Sequence, residues 1–295
     1  MEFRKISLDS REEIQHLTLR SEKRNCDFSF ANLCSWSFLY QTEFAICKNS
    51  LILRFYLNGK PAYMVLLEEG DIASVIQMMY EDACQKGEEL RILGVSLRMK
   101  NELETYFPGC FTFKNDRDYA DYIYLREELA TLKGKKFQPK RNHLNRFCKS
   151  YPQYEYKDLT EDLIPECLRL EEKWCRSNGC AEEAALRFER QSMHYALNHL
   201  KELEIKGGVL LVDGQIVAFT YGAAINYDTW DVCVEKADTE VEGSYAMINY
   251  EYVNHLPETY VYINREEDLG IDGLRKAKLS YQPHFLLEKY MAIWI

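Results

Sequence analysis

Long apolar runs are absent from this 295-residue sequence. No stretch approaches the ~20 uninterrupted apolar residues that a membrane-spanning helix needs, and the opening residues, MEFRKISLDSREEIQ, contain no apolar segment suited to a signal peptide. Apolar residues nevertheless make up 46% of the chain, which is enough for substantial cores and argues against disorder. These features predict a folded cytoplasmic protein without a transmembrane segment.

Metal-binding and disulfide-forming motifs are also missing. The ten cysteines are scattered without a CxxC pair, and several lie within apolar runs, where cysteine behaves as a small hydrophobic residue. His194 and His199 are five positions apart, so they do not share a helical face as an i, i+4 pair would. We therefore expect reduced thiols, no bound metal and no tightly bound cofactor.

Acidic residues are absent from one segment, residues 133–149, which reads KGKKFQPKRNHLNRFCK. This segment carries seven lysines and arginines in a chain of net charge −10. The net negative charge argues against general coating of nucleic acid, so any such contact must be local. Two interpretations stay open: a solvated linker helix, or a contact for something anionic such as a phosphate, a nucleic-acid backbone or a lipid headgroup.

The sequences on either side of this segment follow one pattern. Each has an apolar hairpin on a tight turn, Asn58-Gly59 in the first half and Asp213-Gly214 in the second. In each half a helix, a strand, a second helix ending at a proline (LETYFP and LSYQP) and an apolar strand follow. This order predicts an internal duplication.

The expected fold class is α/β (α+β), with mixed, mainly antiparallel sheets flanked by helices. The chain divides into three predicted regions, namely 1–132, a basic linker helix at 133–152, and 153–295. Apolar spacing and capping residues predict helices at about 11–24, 72–86, 97–106, 182–202 and 243–255, whereas residues 25–40 are rich in aromatic residues and have no clear period.

A dense polar cluster follows the strand candidate Tyr260–Ile263. It reads NREEDLG, residues 264–270, and the next helix carries Arg275, Lys276 and Lys278. Acidic and basic groups at the end of a strand are where a mixed α/β fold commonly places its ligand; the alternative is a solvated loop with surface ion pairs. Tyr281 is either a proton donor or a core phenol hydrogen-bonded at its tip.

A second candidate is the turn before the helix that starts near Gly243. Backbone N–H groups at a helix N-terminus can bind a phosphate, which makes Gly243 and Ser244 candidate ligand-binding residues. Three glutamates, Glu235, Glu240 and Glu242, crowd this turn with negative charge. An ordinary helix cap is therefore the alternative.

Two stretches, RNHLNRFCKSYPQYEY and NREEDLGIDGLRKAKLSYQPHFLLEKY, closely resemble the DUF2156 family. That family resembles the C-terminal domain of the phosphatidylglycerol lysyltransferases. The element GLRKAKLSYQP is similar to the GLxxFKxxFxP helix of those enzymes and, more distantly, of the Fem-type peptidoglycan aminoacyltransferases. The resemblance covers essentially the whole chain and implies two tandem acyltransferase folds of the GNAT type, in agreement with the duplication.

In a GNAT fold the turn after the fourth strand binds the pyrophosphate of acyl-CoA through a Q/R-x-x-G-x-G/A pattern. The corresponding stretch here keeps Gly243, but Glu240 stands in place of Gln or Arg and Tyr245 in place of the final small residue. The resemblance therefore leaves two co-substrates open, acyl-CoA and aminoacyl-tRNA. The basic segment at 133–149 would suit the acceptor end of a tRNA.

We expect an acyl- or aminoacyltransferase that moves its group to an amine or hydroxyl of a small-molecule acceptor. Glu267 or Asp268 would orient or deprotonate the acceptor, and Tyr281 would protonate the leaving group. The predicted binding residues are Asn264, Arg265, Arg275, Lys276, Lys278, Gly243, Ser244, Lys136, Lys140 and Arg141. The alternative is a GNAT-fold protein that has lost catalysis and binds RNA or another anionic ligand.

Overall fold

The computed structural model describes residues 1–67, 72–178 and 183–295. Its helices lie on the faces of two sheets. They are α1 (Arg11–Thr18), α2 (Phe30–Ser35), α3 (Ser37–Tyr40), α4 (Ile72–Gln85), α5 (Leu97–Tyr106), α6 (Arg126–Thr131), α7 (Gln138–Ser150), α8 (Ile164–Asn178), α9 (Ala184–Asn198), α10 (Ser244–His255) and α11 (Asp272–Leu279).

Within the described ranges, each sheet has seven strands. The strands are β1 (Arg4–Lys5), β2 (Glu43–Cys47), β3 (Ser50–Leu57), β4 (Lys60–Leu66), β5 (Arg91–Val95), β6 (Phe111–Asn115), β7 (Asp121–Leu125), β8 (Glu155–Asp158), β9 (Lys206–Val212), β10 (Gln215–Ala224), β11 (Thr229–Ala237), β12 (Tyr262–Asn264), β13 (Phe285–Leu287) and β14 (Tyr290–Trp294). The first sheet has the order β1-β2-β3-β4-β5-β14-β6, and the second β8-β9-β10-β11-β12-β7-β13. In each sheet one pair, β4–β5 or β11–β12, is parallel and the other described pairs are antiparallel.

The two sheets exchange one strand. β7, from the first half, lies between β12 and β13 of the second sheet, and β14, from the second half, lies between β5 and β6 of the first. These positions are equivalent, so the topology supports the predicted duplication. The predicted division at 132 and 153 follows the repeat along the chain but does not separate the sheets.

Burial explains why β7 takes a central position. Four of its five residues are buried, and such a strand needs cover on both faces. One apolar core also spans the two halves, because Phe28 and Phe44 belong to the same buried cluster as Met193 and Phe219. This shared core holds α2 of the first half near the second sheet.

Both predicted hairpin turns are confirmed. The φ angles are 53° and 75° at Asn58 and Gly59, and 51° and 77° at Asp213 and Gly214. Positive φ at both central residues defines the turn whose twist matches antiparallel strands. Four of the predicted helices correspond to α4, α5, α9 and α10. The helix predicted at 11–24 is shorter than expected and corresponds to α1. The aromatic stretch at 25–40 contains α2 and α3.

The cysteine prediction is confirmed only in part. Eight described cysteines are free. Cys84 and Cys148 are exposed rather than in a core, however. Cys175 is disulfide-bonded, so the expectation of a reduced thiol is wrong there. Cys180 lies outside the described residues.

Candidate functional site

The parallel strands β11 and β12 diverge near the middle of the second sheet. They pair only where Thr229–Asp231 faces Tyr262–Asn264. β12 then ends, whereas β11 continues to Ala237. Residues beyond the last pair therefore border a gap between two strands, where polar side chains can gather.

A β-bulge lies at the same place. Tyr221 of β10 faces Val234 and Gly222 faces Val232, which leaves Cys233 without a partner on β10. A bulge bends the strand and changes the direction of the side chains around it.

Asp231 and Glu266 form a carboxyl pair on one side of the second sheet. Asn32 of α2 donates from Nδ2 to Asp231 Oδ2 and to Glu266 Oε1, both at 2.9 Å. On the opposite side, Trp230 donates from Nε1 to the hydroxyl of Tyr252 in α10 at 2.9 Å. Asp231 is fully buried, and its Oδ1 has no hydrogen-bond partner among the described residues.

The environment favours the protonated form of this pair. Burial and then the Glu266 carboxylate raise the pKa of Asp231 well above its ordinary range. Burial and then the Glu267 carboxylate raise the pKa of Glu266 to about 8. Two close carboxyl groups in a desolvated place cannot both ionise easily, so the pair retains a proton near neutral pH.

Next to the pair lies an ion cluster centred on Lys289, whose side chain is 8% exposed. Its ammonium contacts Asp121 at 2.8 Å and Asp27 at 3.1 Å, and also Glu267. Asn264 donates to Asp121 Oδ2 at 2.9 Å. Burial alone would lower the pKa of Lys289, but Asp121 and the other nearby acidic groups raise it well above its ordinary value. The lysine is therefore charged.

Two groups of side chains in the described part of the chain have the spacing of metal ligands, Cys26–Asp27–Glu267 and Asp231–Cys233–Glu266. The Lys289 ammonium already contacts both carboxylates of the first group. The second group has donor atoms for a divalent cation, but burial raises the pKa of Cys233 well above its ordinary value. A thiol that keeps its proton is a poor metal ligand, so the arrangement suits a proton better than a metal.

Asp268, a predicted base, is fully buried and its lone pairs are occupied. Arg275 donates to both of its carboxylate oxygens at 2.9 and 2.7 Å, and Arg117 at 3.0 Å. Tyr122 and the backbone N–H of Gly270 donate at 2.5 and 2.9 Å. The Arg275 contacts are the main cause that holds the pKa of Asp268 well below its usual range. This geometry suits an anchor and does not suit a base.

Replacing Asp268 by Asn should lower the free energy of unfolding by about 2–3 kcal/mol, because hydrogen bonds between charged groups are lost. Because the folded pKa lies below the unfolded value, the ion pairs stabilise fully above the unfolded pKa, and their contribution disappears as the pH falls through the folded pKa. The variant should lack this acid-dependent loss. Urea unfolding at several pH values tests the prediction, with exposed Asp272→Asn as the control; equal losses in both variants would contradict it.

The other side of the second sheet holds a separate cluster. Arg265 donates from Nη2 to Glu235 Oε1 at 3.0 Å, and Asn249 of α10 contacts the same glutamate at 3.3 Å. The ring of Tyr281 is contacted by Arg265 and by Lys140, not by Glu267.

Burial raises the pKa of Tyr281, which makes its hydroxyl a weak acid. Lys278 is buried and its ammonium donates to the Glu267 carbonyl oxygen. Burial lowers the pKa of Lys278. Lys276 is exposed on α11. The structure thus divides the predicted site residues of 264–281 between the two sides of the sheet and the surface.

The predicted phosphate turn is closed by α7. Gly243 has a φ of 88°, and a methyl group there would come within 3.1 Å of His143 O and Phe147 Cβ. Ser244 is buried, and its hydroxyl donates to the Asp238 carbonyl oxygen at 3.0 Å.

Two predicted residues of the basic segment make contacts within the chain. Lys136 pairs with Glu128 at 2.7 Å. Arg141 donates to the carbonyl oxygens of Leu132 and of Gly134, the latter at 2.8 Å. Lys133, Lys135 and Lys149 are exposed.

A cleft of about 890 Å³ lies away from these clusters. Its lining includes Leu19 near α1, Leu200 after α9 and Tyr260 before β12. None of the predicted site residues lines it, and neither do the Asp231–Glu266 pair or Lys289. The clustered titratable groups, and not this cleft, therefore mark the candidate site.

Sequence reasoning missed Asp231, Glu266 and Lys289 as site residues. Asp231 did carry a signal, because it is a charged residue inside the apolar strand TWDVCVEKA. Asn32 and Asp121 carried none, because their partners are distant in sequence: Asp231 and Glu266 lie 199 and 234 positions from Asn32, and Asn264 and Lys289 lie 143 and 168 positions from Asp121.

A family model described as "Phosphatidylglycerol lysyltransferase, C-terminal" matches residues 19–293. A conserved protein of unknown function from Bacteroides thetaiotaomicron is 52% identical, with a TM-score of 0.98 and 100% of each chain covered. The structure of L-PGS from Bacillus licheniformis is 14% identical, with a TM-score of 0.66, 98% of this chain and 93% of that chain covered. That likeness shows the fold alone.

An uncharacterized protein from Mycoplasmoides gallisepticum is 25% identical over 175 residues, which are 58% of this chain and 55% of that protein. The chain thus spans about half the length of this curated relative. Within the described residues, no helix combines the length and apolar character needed to cross a membrane. The fold is mixed α/β, with two mixed sheets flanked by helices. From the match over residues 19–293, the chain belongs to the phosphatidylglycerol lysyltransferase C-terminal family.

Proposed function

We propose that this chain transfers an aminoacyl group from aminoacyl-tRNA to an amine or hydroxyl acceptor. The observation that carries the proposal is the Asp231–Glu266 carboxyl pair beside the gap between β11 and β12. Glu266 is partly buried whereas Asp231 is fully buried, so an acceptor would approach the pair from the Glu266 side. A carboxyl whose pKa is near 8 is well matched to proton transfer at neutral pH.

The acceptor nitrogen or oxygen attacks the ester carbonyl carbon of the donor. The carboxylate of the pair takes the proton of the acceptor as the new bond to that carbon forms. The ester C–O bond then breaks, and the protonated carboxyl of the pair gives its proton to the departing ribose oxygen. The pair ends with the proton count it began with.

Glu267 and Tyr281 are less suited to act as the base and the proton donor. Glu267 is held by Lys289, and Tyr281 lies with Arg265 in the cluster on the other side. Asn32 is a positioning residue, because it donates to both carboxyls and fixes their orientation.

The closed turn at Gly243 supports aminoacyl-tRNA over acyl-CoA. The backbone N–H groups of Glu240, Val241 and Ser244 are used within the turn, so they are not free for a pyrophosphate. Glu240 and Glu242 add negative charge, and α7 packs against Gly243. The exposed lysines of residues 133–149 offer local contacts to tRNA phosphates.

A thermal-shift screen of the purified protein tests the choice of donor. The compounds are acetyl-CoA, longer acyl-CoAs, deacylated tRNA and charged tRNA, because a ligand that binds only the folded state raises the Tm. We expect stabilisation by tRNA, followed by loss of the aminoacyl group from charged tRNA when an amine acceptor is added. Stabilisation by a CoA ester alone would overturn the choice of donor.

A non-catalytic binding protein is the second candidate. The same closed turn favours it, because a lost CoA site is expected in a GNAT fold that no longer catalyses. It predicts tRNA or RNA binding without deacylation of the charged form.

A further inference from the structure

Arg265 has an unused hydrogen-bond donor inside the protein. Its Nη2 donates to Glu235 at 3.0 Å, whereas its Nη1 is buried and makes no hydrogen bond of good geometry among the described residues, although the Tyr281 hydroxyl lies near the guanidinium. The side chain is 11% exposed. A buried guanidinium nitrogen without an acceptor is costly, so the position calls for a further acceptor.

A second cation contacts the same tyrosine ring as Arg265. The Nζ of Lys140 is 3.6 Å from the centre of the Tyr281 ring, and the Cζ of Arg265 is 4.8 Å from the same centre. Lys140 makes no ion pair with any carboxylate in the described ranges. Burial, and then the charge of Arg265, lower the pKa of Lys140 to about 8.

The charges of this cluster do not balance. Arg265 and Lys140 are two cations, and Glu235 is the carboxylate that pairs with Arg265. A desolvated excess of positive charge is unfavourable unless an anion compensates it. The donors come from two separated elements, α7 and the residue after β12, and a tetrahedral phosphate accepts hydrogen bonds from such different directions.

We propose that Arg265 and Lys140 bind a phosphate group on the α7 and α10 side of the second sheet. Nη1 of Arg265 and the ammonium of Lys140 would donate to its oxygens. The Asp231–Glu266 pair faces α2, on the other side of the sheet, so the anion site is distinct from the proposed catalytic pair. The phosphate belongs either to a nucleotide or to a small phosphorylated molecule. The inference does not depend on aminoacyl transfer.

Calorimetric titration with inorganic phosphate and with adenosine monophosphate, at constant ionic strength set with chloride, tests the proposal. Lys140→Met should weaken phosphate binding about tenfold or more. Arg265→Lys keeps a positive charge near Glu235 but removes the unused donor, and it should weaken binding as well. Lys114→Met, an exposed lysine of β6, is the matched control.

Equal affinities for the two probes would mean that the phosphate group alone is bound, and tighter binding of the nucleotide would identify a nucleotide ligand. Either result supports the site if the Lys140→Met variant binds the probes about tenfold more weakly or not at all. No binding of either probe, or binding that both variants leave unchanged, would overturn it. Acetate that competes as well as phosphate would overturn the assignment to phosphate. Because no transfer assay is used, these results are independent of the donor screen.

Discussion

Transfer should fall by about 10²- to 10⁴-fold when Glu266 is replaced by Gln or Asp231 by Asn. Either change removes a group that takes or gives the proton, while the amide keeps the shape of the side chain and accepts from Asn32. The measurement is the initial rate of transfer from charged tRNA, with circular dichroism confirming that each variant is folded.

Two further variants, Glu267→Gln and Glu258→Gln, are measured in the same transfer assay. Glu258 is exposed in the turn between α10 and β12, so its variant should retain the wild-type rate. The wild-type rate should rise as the pH is increased toward about 8, because Glu266 becomes a base when it loses its proton. If Glu267→Gln abolishes transfer and Glu266→Gln does not, the base is Glu267 and the proposed pair is wrong.

Loss of the Lys289 ammonium should lower the free energy of unfolding by about 3–5 kcal/mol, because uncompensated charges then remain buried. The Lys289→Met variant removes the cation that is shared by Asp121, Asp27 and Glu267. The side chain keeps a similar length, so the effect reports the charge. Urea unfolding at neutral pH measures it.

A double variant separates charge from packing. Asp121→Asn removes one of the stranded carboxylates, so combining it with Lys289→Met should cost less than the sum of the two single changes. Lys114→Met on the exposed face of β6 is the control and should change the free energy by under about 0.5 kcal/mol. An additive double variant would mean that Lys289 and Asp121 do not act as a pair.

Local features of the fold could be predicted from the sequence. Asn58-Gly59 and Asp213-Gly214 specify their turns through residues that tolerate positive φ. Helix α4 follows from the spacing of its apolar residues. The repeat was also visible, because both halves use the same order of turns, helices and prolines.

The strand exchange and the candidate site could not be predicted in this way. β7 is an apolar strand in either sheet, and only tertiary packing decides which neighbours it takes. The carboxyl pair depends on Asn32, which the core shared by both halves brings to β11. Asp268 was a reasonable base by position, but Arg117 and Tyr122 come from a distant segment and occupy it.

The exchanged strands also constrain how the chain can fold during synthesis. β5 and β6 end at Val95 and Asn115, yet the strand that separates them begins only at Tyr290. Until residues 290–294 leave the ribosome, both strands present unpaired backbone groups that can pair with another chain. The first sheet thus lacks its penultimate strand through most of translation, and β14 fills the gap between β5 and β6 when it is complete.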